Sequence, residues 1–183
     1  MKRLILLAVL IISMAGVSYG EPSKNEQAPA TKLEAFTAKK GVVIVKGYTE
    51  VGYVGGTGRV VVSAQEFKNS NKTDSRITGI GITVHEYGRL EREHSSMIDS
   101  DEIDSLVAGI DYISKASSDV TNQKKFEVQY RTKGDLSITV FNTSKNELSV
   151  AITSGTIGKT TAFIDFGKLP VLKNLILTAK SKL

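Results

Sequence analysis

The chain contains no cysteine and no tryptophan, and only three prolines and two histidines among its 183 residues. Without cysteine, a disulfide scaffold, a thiolate metal site, a cysteine nucleophile and a lipidated cysteine anchor are all excluded. Long apolar runs are scarce as well, and after Val17 none is long enough to span a bilayer. What is present, 40% hydrophobic and 23% charged residues, suits one globular domain that buries a core without staples.

At the N-terminus Lys2 and Arg3 precede an apolar run from Leu4 to Val17, followed by Ser18-Tyr19-Gly20. This pattern predicts a signal peptide over residues 1–20, with small side chains at the two positions a signal peptidase needs and cleavage before Glu21. A membrane-spanning helix would need roughly 20 apolar residues, more than the run provides. The mature protein is therefore expected to be secreted or periplasmic. Residues 21–40 read as a disordered leader, since Glu21 to Lys32 is mostly Pro, Lys, Asn, Glu, Gln and Ala.

Beyond the leader come short segments rich in Val, Ile, Thr, Phe and Tyr, separated by turn residues, which is the signature of strands. Four are predicted at Gly41–Tyr48, Gly58–Phe67, Ile77–Tyr87 and His94–Ile98. Four more follow at Lys125–Thr132, Leu136–Asn142, Leu148–Thr153 and Thr160–Phe166, while Lys68 to Arg76 reads as a polar, mobile loop. In Lys125–Thr132 the side chains of Phe126, Val128 and Tyr130 take one face, and Lys125, Glu127, Gln129 and Arg131 the other. One face is core and the other wet. Lys133-Gly134-Asp135 then turns tightly into Leu136, Ile138 and Val140, an antiparallel hairpin.

Two segments have a helical period instead. Within Ser100–Ser117 the apolar residues Ile103, Leu106, Val107, Ile110 and Ile113 share one stripe, and Asp99 with Glu102 reads as a capping box for that helix. A second helix is predicted from about Lys168 to Lys182, burying Leu169, Leu172, Leu175, Ile176 and Ala179, with Pro170 tolerated in its first turn. Setting Ile98-Asp99 over Ile164-Asp165, an offset of 66, also places Ile103 on Leu169, Leu106 on Leu172 and Ile110 on Ile176. The chain thus reads as a single α+β domain, residues 41–183, built of antiparallel β-sheets in two ββββα units, 41–117 and 125–183, with two amphipathic helices closing the core.

This order of elements resembles the Whirly family of single-stranded-DNA-binding proteins, whose fold packs two such sheets with helices at their ends. The resemblance covers Val42 to Leu183 and lies in element order. The family's lysine-rich strand motif, KGKAAL, has no counterpart, Lys39-Lys40-Gly41-Val42 being a superficial echo. The resemblance therefore implies a fold and carries over no functional residue, and an export signal departs from the family's intracellular role.

Charge is unevenly spread. Residues 86–119 hold nine acids and three bases, whereas residues 120–183 hold ten bases and four acids. Such halves can be complementary faces of one domain, or surfaces through which copies of the chain form a homo-oligomer, or a basic face offered to an anion.

No constellation for catalysis stands out. His85-Glu86 is followed by Arg89 where a zinc-peptidase helix needs its second histidine. A turn near Gly88–Leu90 would bring His85, His94, Glu86, Glu91 and Glu93 together across a hairpin, but exposed hairpin charges account for them. Asp99, Asp101, Glu102 and Asp104 lack the glycine and distal glutamate of a calcium loop. The run Ser154 to Thr160 ends like a phosphate-binding loop, yet Thr153 stands where a glycine is required and a strand follows where a helix must. No metal, cofactor or catalytic residue is assigned.

Surface binding remains. Lys125, Arg131, Lys133 and Lys145 are read as lining a basic sheet surface near Phe141, since stacking on a single strand requires aromatics among cations. The sequence predicts an exported, non-enzymatic binding or interaction protein of unknown ligand. Two other classes stay open: a nucleic-acid or polyanion binder using that basic face, and a hydrolase whose paired carboxylates only the fold could reveal.

Overall fold

The computed structural model describes residues 28–71 and 75–183, so the expected signal peptide and residues 21–27 of the leader lie outside the described residues. A short helix α1 (Lys32–Thr37) precedes the strands β1 (Ile44–Gly55), β2 (Gly58–Asn69), β3 (Arg76–Glu86) and β4 (Arg92–Asp99), which form one antiparallel sheet in sequence order. Helix α2 (Ile103–Ile113) follows. The strands β5 (Glu127–Arg131), β6 (Leu136–Asn142), β7 (Leu148–Ser154) and β8 (Thr160–Asp165) form a second such sheet, and α3 (Leu169–Lys180) ends the chain's helices. The order is the expected pair of ββββα units.

The alternation of each strand turns one apolar face inward, with Val60, Val62, Ile80, Ile82 and Val84 from the first sheet and Ile138, Val140, Val150, Ile152 and Ile164 from the second. Both helices add their stripes to the same cluster. Ile103, Leu106 and Ile110 of α2 and Leu169, Leu172 and Ile176 of α3, matched at the offset of 66, are all fully buried. At about 1.5–3 kcal/mol for each large aliphatic side chain removed from water, this shared core supplies the dominant stabilisation. β1 runs on to Gly55 because a bulge between Glu50 and Gly52 lets the strand bend, and Gly52, at φ 145, leaves room for Leu175 of α3.

The two units meet through corresponding turns, each pressed against the last strand of the other unit's sheet. From the β1–β2 turn, the Thr57 N–H donates to the Phe163 carbonyl of β8 at 2.9 Å, and the Phe163 N–H donates to Thr57 Oγ1 at 3.2 Å. A β-carbon on Gly56 would stand 1.9 Å from that carbonyl oxygen. From the β5–β6 turn, a β-carbon on Gly134 would stand 2.1 Å from the carbonyl oxygen of Met97 in β4. Each glycine precedes its unit's second strand by two residues, and Met97 and Phe163 are related by the same offset of 66. The residues preceding the helices complete the pattern: Lys168 Nζ donates to the Gly55 carbonyl at 2.9 Å, and Glu102 Oε1 accepts the Lys133 N–H at 2.8 Å. Each sheet's last strand, an edge otherwise open to further pairing, is thereby met at one residue, Phe163 or Met97, by a turn of the other unit. Ser154 adds a seam between the sheets, its buried Oγ lying 2.7 Å from Ser96 Oγ and 2.9 Å from His94 Nδ1.

Two expectations are corrected here. The leader is not disordered throughout, because Thr31 and Glu34 form a capping box and Leu33 and Phe36 of α1 are buried against Phe67 on the outer face of the first sheet. Asp99 does not cap α2, whose first turn begins at Glu102 without a side-chain cap. Its buried carboxylate instead accepts the Lys32 and Leu33 N–H groups of α1 at 2.8 and 3.0 Å. Part of the charge asymmetry is also met within the chain, Lys173 pairing with Asp111 at 2.7 Å and Lys180 with Asp104 at 2.5 Å.

Gly56→Ala and Gly134→Ala should each destabilise the fold by about 2 kcal/mol, the range for forcing a methyl against fixed atoms, whereas Gly88→Ala, with open space around it, should be nearly neutral. Urea unfolding of the three variants checks this. A pH effect follows from Glu86, which accepts from Arg92 and, across the sheets, from the Thr161 N–H. These bonds hold its carboxyl below the ordinary 4.5, so its contribution is present above that pH and is lost as the pH falls through the lowered folded value. Glu86→Gln should flatten part of the acid limb in stability measured against pH, and an unchanged limb would contradict the assignment.

Candidate functional site

Asn142, the last residue of β6, shapes one end of the second sheet. Its Oδ1 accepts the Phe126 N–H at 3.1 Å and its Nδ2 donates to the Lys124 carbonyl at 2.8 Å. A side chain thus continues the pairing that the backbone supplies from Glu127 and Phe141 onward. Lys125 Nζ, on the Thr143 carbonyl at 2.5 Å, is a second tie. The β6–β7 turn closes through Thr143 N–H to the Glu147 carbonyl and Asn146 N–H to the Thr143 carbonyl, with Asn146 at φ 62, where asparagine is strained less than most residues.

Between this turn and residues 121–126 lies a cleft of about 900 Å³. Phe126 and Leu148 give it apolar surface, Lys124 and Lys125 bring ammonium groups, and Asn122, Gln123, Asn142 and Asn146 bring amides. Thr121 and Ser144 add hydroxyls, and no carboxylate lines it. A neighbouring cavity of about 320 Å³ shares Lys125, Phe126 and Asn142 and adds Glu127 and Phe141. Cations, amides and hydroxyls around an apolar floor suit a ligand with oxyanion and hydroxyl groups, because the amides and hydroxyls fix orientation while the ammonium groups make charge-assisted bonds.

Of the residues nominated from sequence, Lys125 and Phe141 meet at this end, and Lys145 sits on the bounding turn, its N–H on Thr143 Oγ1. Arg131 and Lys133 do not join them. They lie at the far end of β5, about 20 Å away at the rise of an extended strand. There the Lys133 N–H is taken by Glu102. Period-2 alternation says nothing of distance along the strand.

Among the described residues the expected basic sheet face is not formed. In register, the outer face of the second sheet carries the rows Glu127, Phe141, Ser149, Asp165; then Gln129, Thr139, Ala151, Phe163; then Arg131, Ser137, Thr153, Thr161. Phe141 meets the edge of Phe163 at 6.2 Å between centroids, an aromatic pair in place of a ring among cations.

The histidines fall on opposite faces of β3 and β4. His85 Nδ1 is 3.3 Å from Glu93 Oε2, while His94 bonds to Ser154, whose hydroxyl is wholly buried and serves the seam between sheets. Among the described residues no group of three or more histidine, aspartate or glutamate side chains could hold a metal ion. Sequence reasoning missed Asn142, and an asparagine closing a strand before Thr143-Ser144-Lys145-Asn146 was the available signal. In comparison with known proteins no family model and no curated protein matches the chain, so the cleft is interpreted from its own geometry.

Proposed function

We propose that this protein is an exported, non-enzymatic binding module, secreted or periplasmic, whose ligand seat is the cleft between residues 121–126 and the β6–β7 turn. Its ligand carries oxyanion groups on a hydroxylated body. The lining carries this reading: two lysines, four residues with amide side chains and two with hydroxyls border the cleft, and no carboxylate residue does. The export part rests on Lys2, Arg3 and the apolar run that follows. A polyanion laid along the sheet face has less support, since Arg131 shares that face with Glu127 and Asp165.

A sulfated oligosaccharide is a suitable probe. The protein should be retained on immobilised heparin at low salt and released as salt rises. Replacing Lys124 and Lys125 together by Ala should weaken binding about fivefold, while replacing Arg131 and Lys133 should change it little. Equal losses from both pairs would return the site to the sheet face, and no retention at low salt would remove the anionic ligand. Export is tested apart from this, by fractionating cells that express the full chain. A shortened product outside the cytoplasm is expected, and a full-length soluble cytoplasmic product would contradict it.

A further inference from the structure

We propose that the outer face of the second sheet is a docking seat for a short, basic, amphipathic helix of a partner polypeptide, the uncovered counterpart of the seat that α1 fills on the first sheet. The proposal is independent of the cleft. On β4, Met97 and Asp99 share the outer face two residues apart. Met97 packs against the cluster of Leu33, Phe36 and Phe67, and Asp99 takes the first N–H groups of α1. The offset of 66 that relates the two helices and the two carbonyls the turns press against places Phe163 and Asp165 at the same positions of β8.

Neither is used as its counterpart is. Phe163 is 43% exposed, and the Asp165 side chain is 84% exposed with only a 3.5 Å approach to Lys168 and no hydrogen bond among the described residues. The floor also corresponds. Beside Asp99 and Met97 stand Gly79 and Gly81 of β3, and Leu33 sinks so far that a β-carbon on Gly79 would be 2.5 Å from its Cδ1. Beside Asp165 and Phe163 stand Ser149 and Ala151 of β7, both small, with Phe141 beyond Ser149 as a second apolar wall.

Charge selects the occupant. The row through Phe141 ends in Glu127 on one side and Asp165 on the other, so a helix with basic flanks and its N–H end toward Asp165 is favoured over an acidic one. The segment around α1 shows what fits such a seat: a capping threonine, apolar residues three apart, and lysines at 32, 39 and 40. The chain's own copy is already held on the first sheet by Asp99 and by the Lys32–Asp101 ion pair at 2.7 Å. The second seat is therefore left for a segment from another polypeptide.

A synthetic peptide spanning residues 30–40 serves as the probe, added to the isotope-labelled full chain and followed by amide NMR shifts. Saturable shifts are expected at Thr139, Ala151, Phe163 and Asp165, with Gly79 and Met97 unmoved. Phe163→Ser should weaken binding about tenfold and Asp165→Asn about threefold, in line with losing one apolar anchor and one cap. The Asp165 side chain is 84% exposed, so the rest of that variant's spectrum should be unchanged, while Phe163→Ser should shift only Phe141, its ring partner, and the residues beside it. A peptide with Leu33→Ser and Phe36→Ser should not bind. The proposal is overturned by no shifts at millimolar peptide, by shifts confined to the α1 seat on the first sheet, or by full binding to both protein variants.

Discussion

The fold depends on a backbone turn pressed against a backbone edge, once in each direction. Gly56 meets the Phe163 carbonyl and Gly134 meets that of Met97, both at separations where only a missing β-carbon allows the approach. The residues reaching those turns have opposite chemistry in the two halves. A carboxylate at Glu102 accepts an N–H, and an ammonium group at Lys168 donates to a carbonyl. Either solution satisfies a turn's polar group at the start of a helix. With a turn of each unit set against the other's final strand, both sheets and both helices share one core.

Once the inner faces and two edges are committed to holding the halves together, recognition falls to the loops at the sheet ends and to the outer faces. The first sheet's outer face is partly closed by α1, whereas among the described residues no helix lies on the second's, which leaves Phe163 43% exposed and carries Arg131 as its one cation in the paired rows. The positive charge concentrates instead at one end of β5, where Asn142 holds residues 124 and 126 in place. That is the usual division of labour, a rigid sheet positioning a variable loop.

Much of this architecture was legible in the chain. β6 was predicted with its observed ends, and both helical stripes were read in their true registers because period 3.6 and period 2 are local properties. Asp99 was misread because its partners, Lys32 and Leu33, lie 67 and 66 residues away, while Glu102 stood three residues on as a ready local explanation. α1 was missed because two apolar side chains among polar ones bury nothing until the sheet beneath them exists. β1 was cut short at Tyr48 because Gly52 and Gly55 beyond it read as a loop, and the bulge between Glu50 and Gly52 that lets the strand continue depends on pairing with β2. The candidate site was half visible: lysines and Phe141 could be nominated, but their separation along β5 and the bridging by Asn142 are products of register.

The central claim is that the two sheets form one cooperative body through their interlocked turns. Native-state hydrogen exchange tests it most directly, by comparing the slowest amides of β2 and β3 with those of β6 and β7 as denaturant is raised. The account predicts that both sets exchange through the same global opening, with one free energy and one denaturant dependence. If either sheet opens on its own well below the global free energy, with its own smaller denaturant slope, the interlock does not hold the halves together and the account is contradicted.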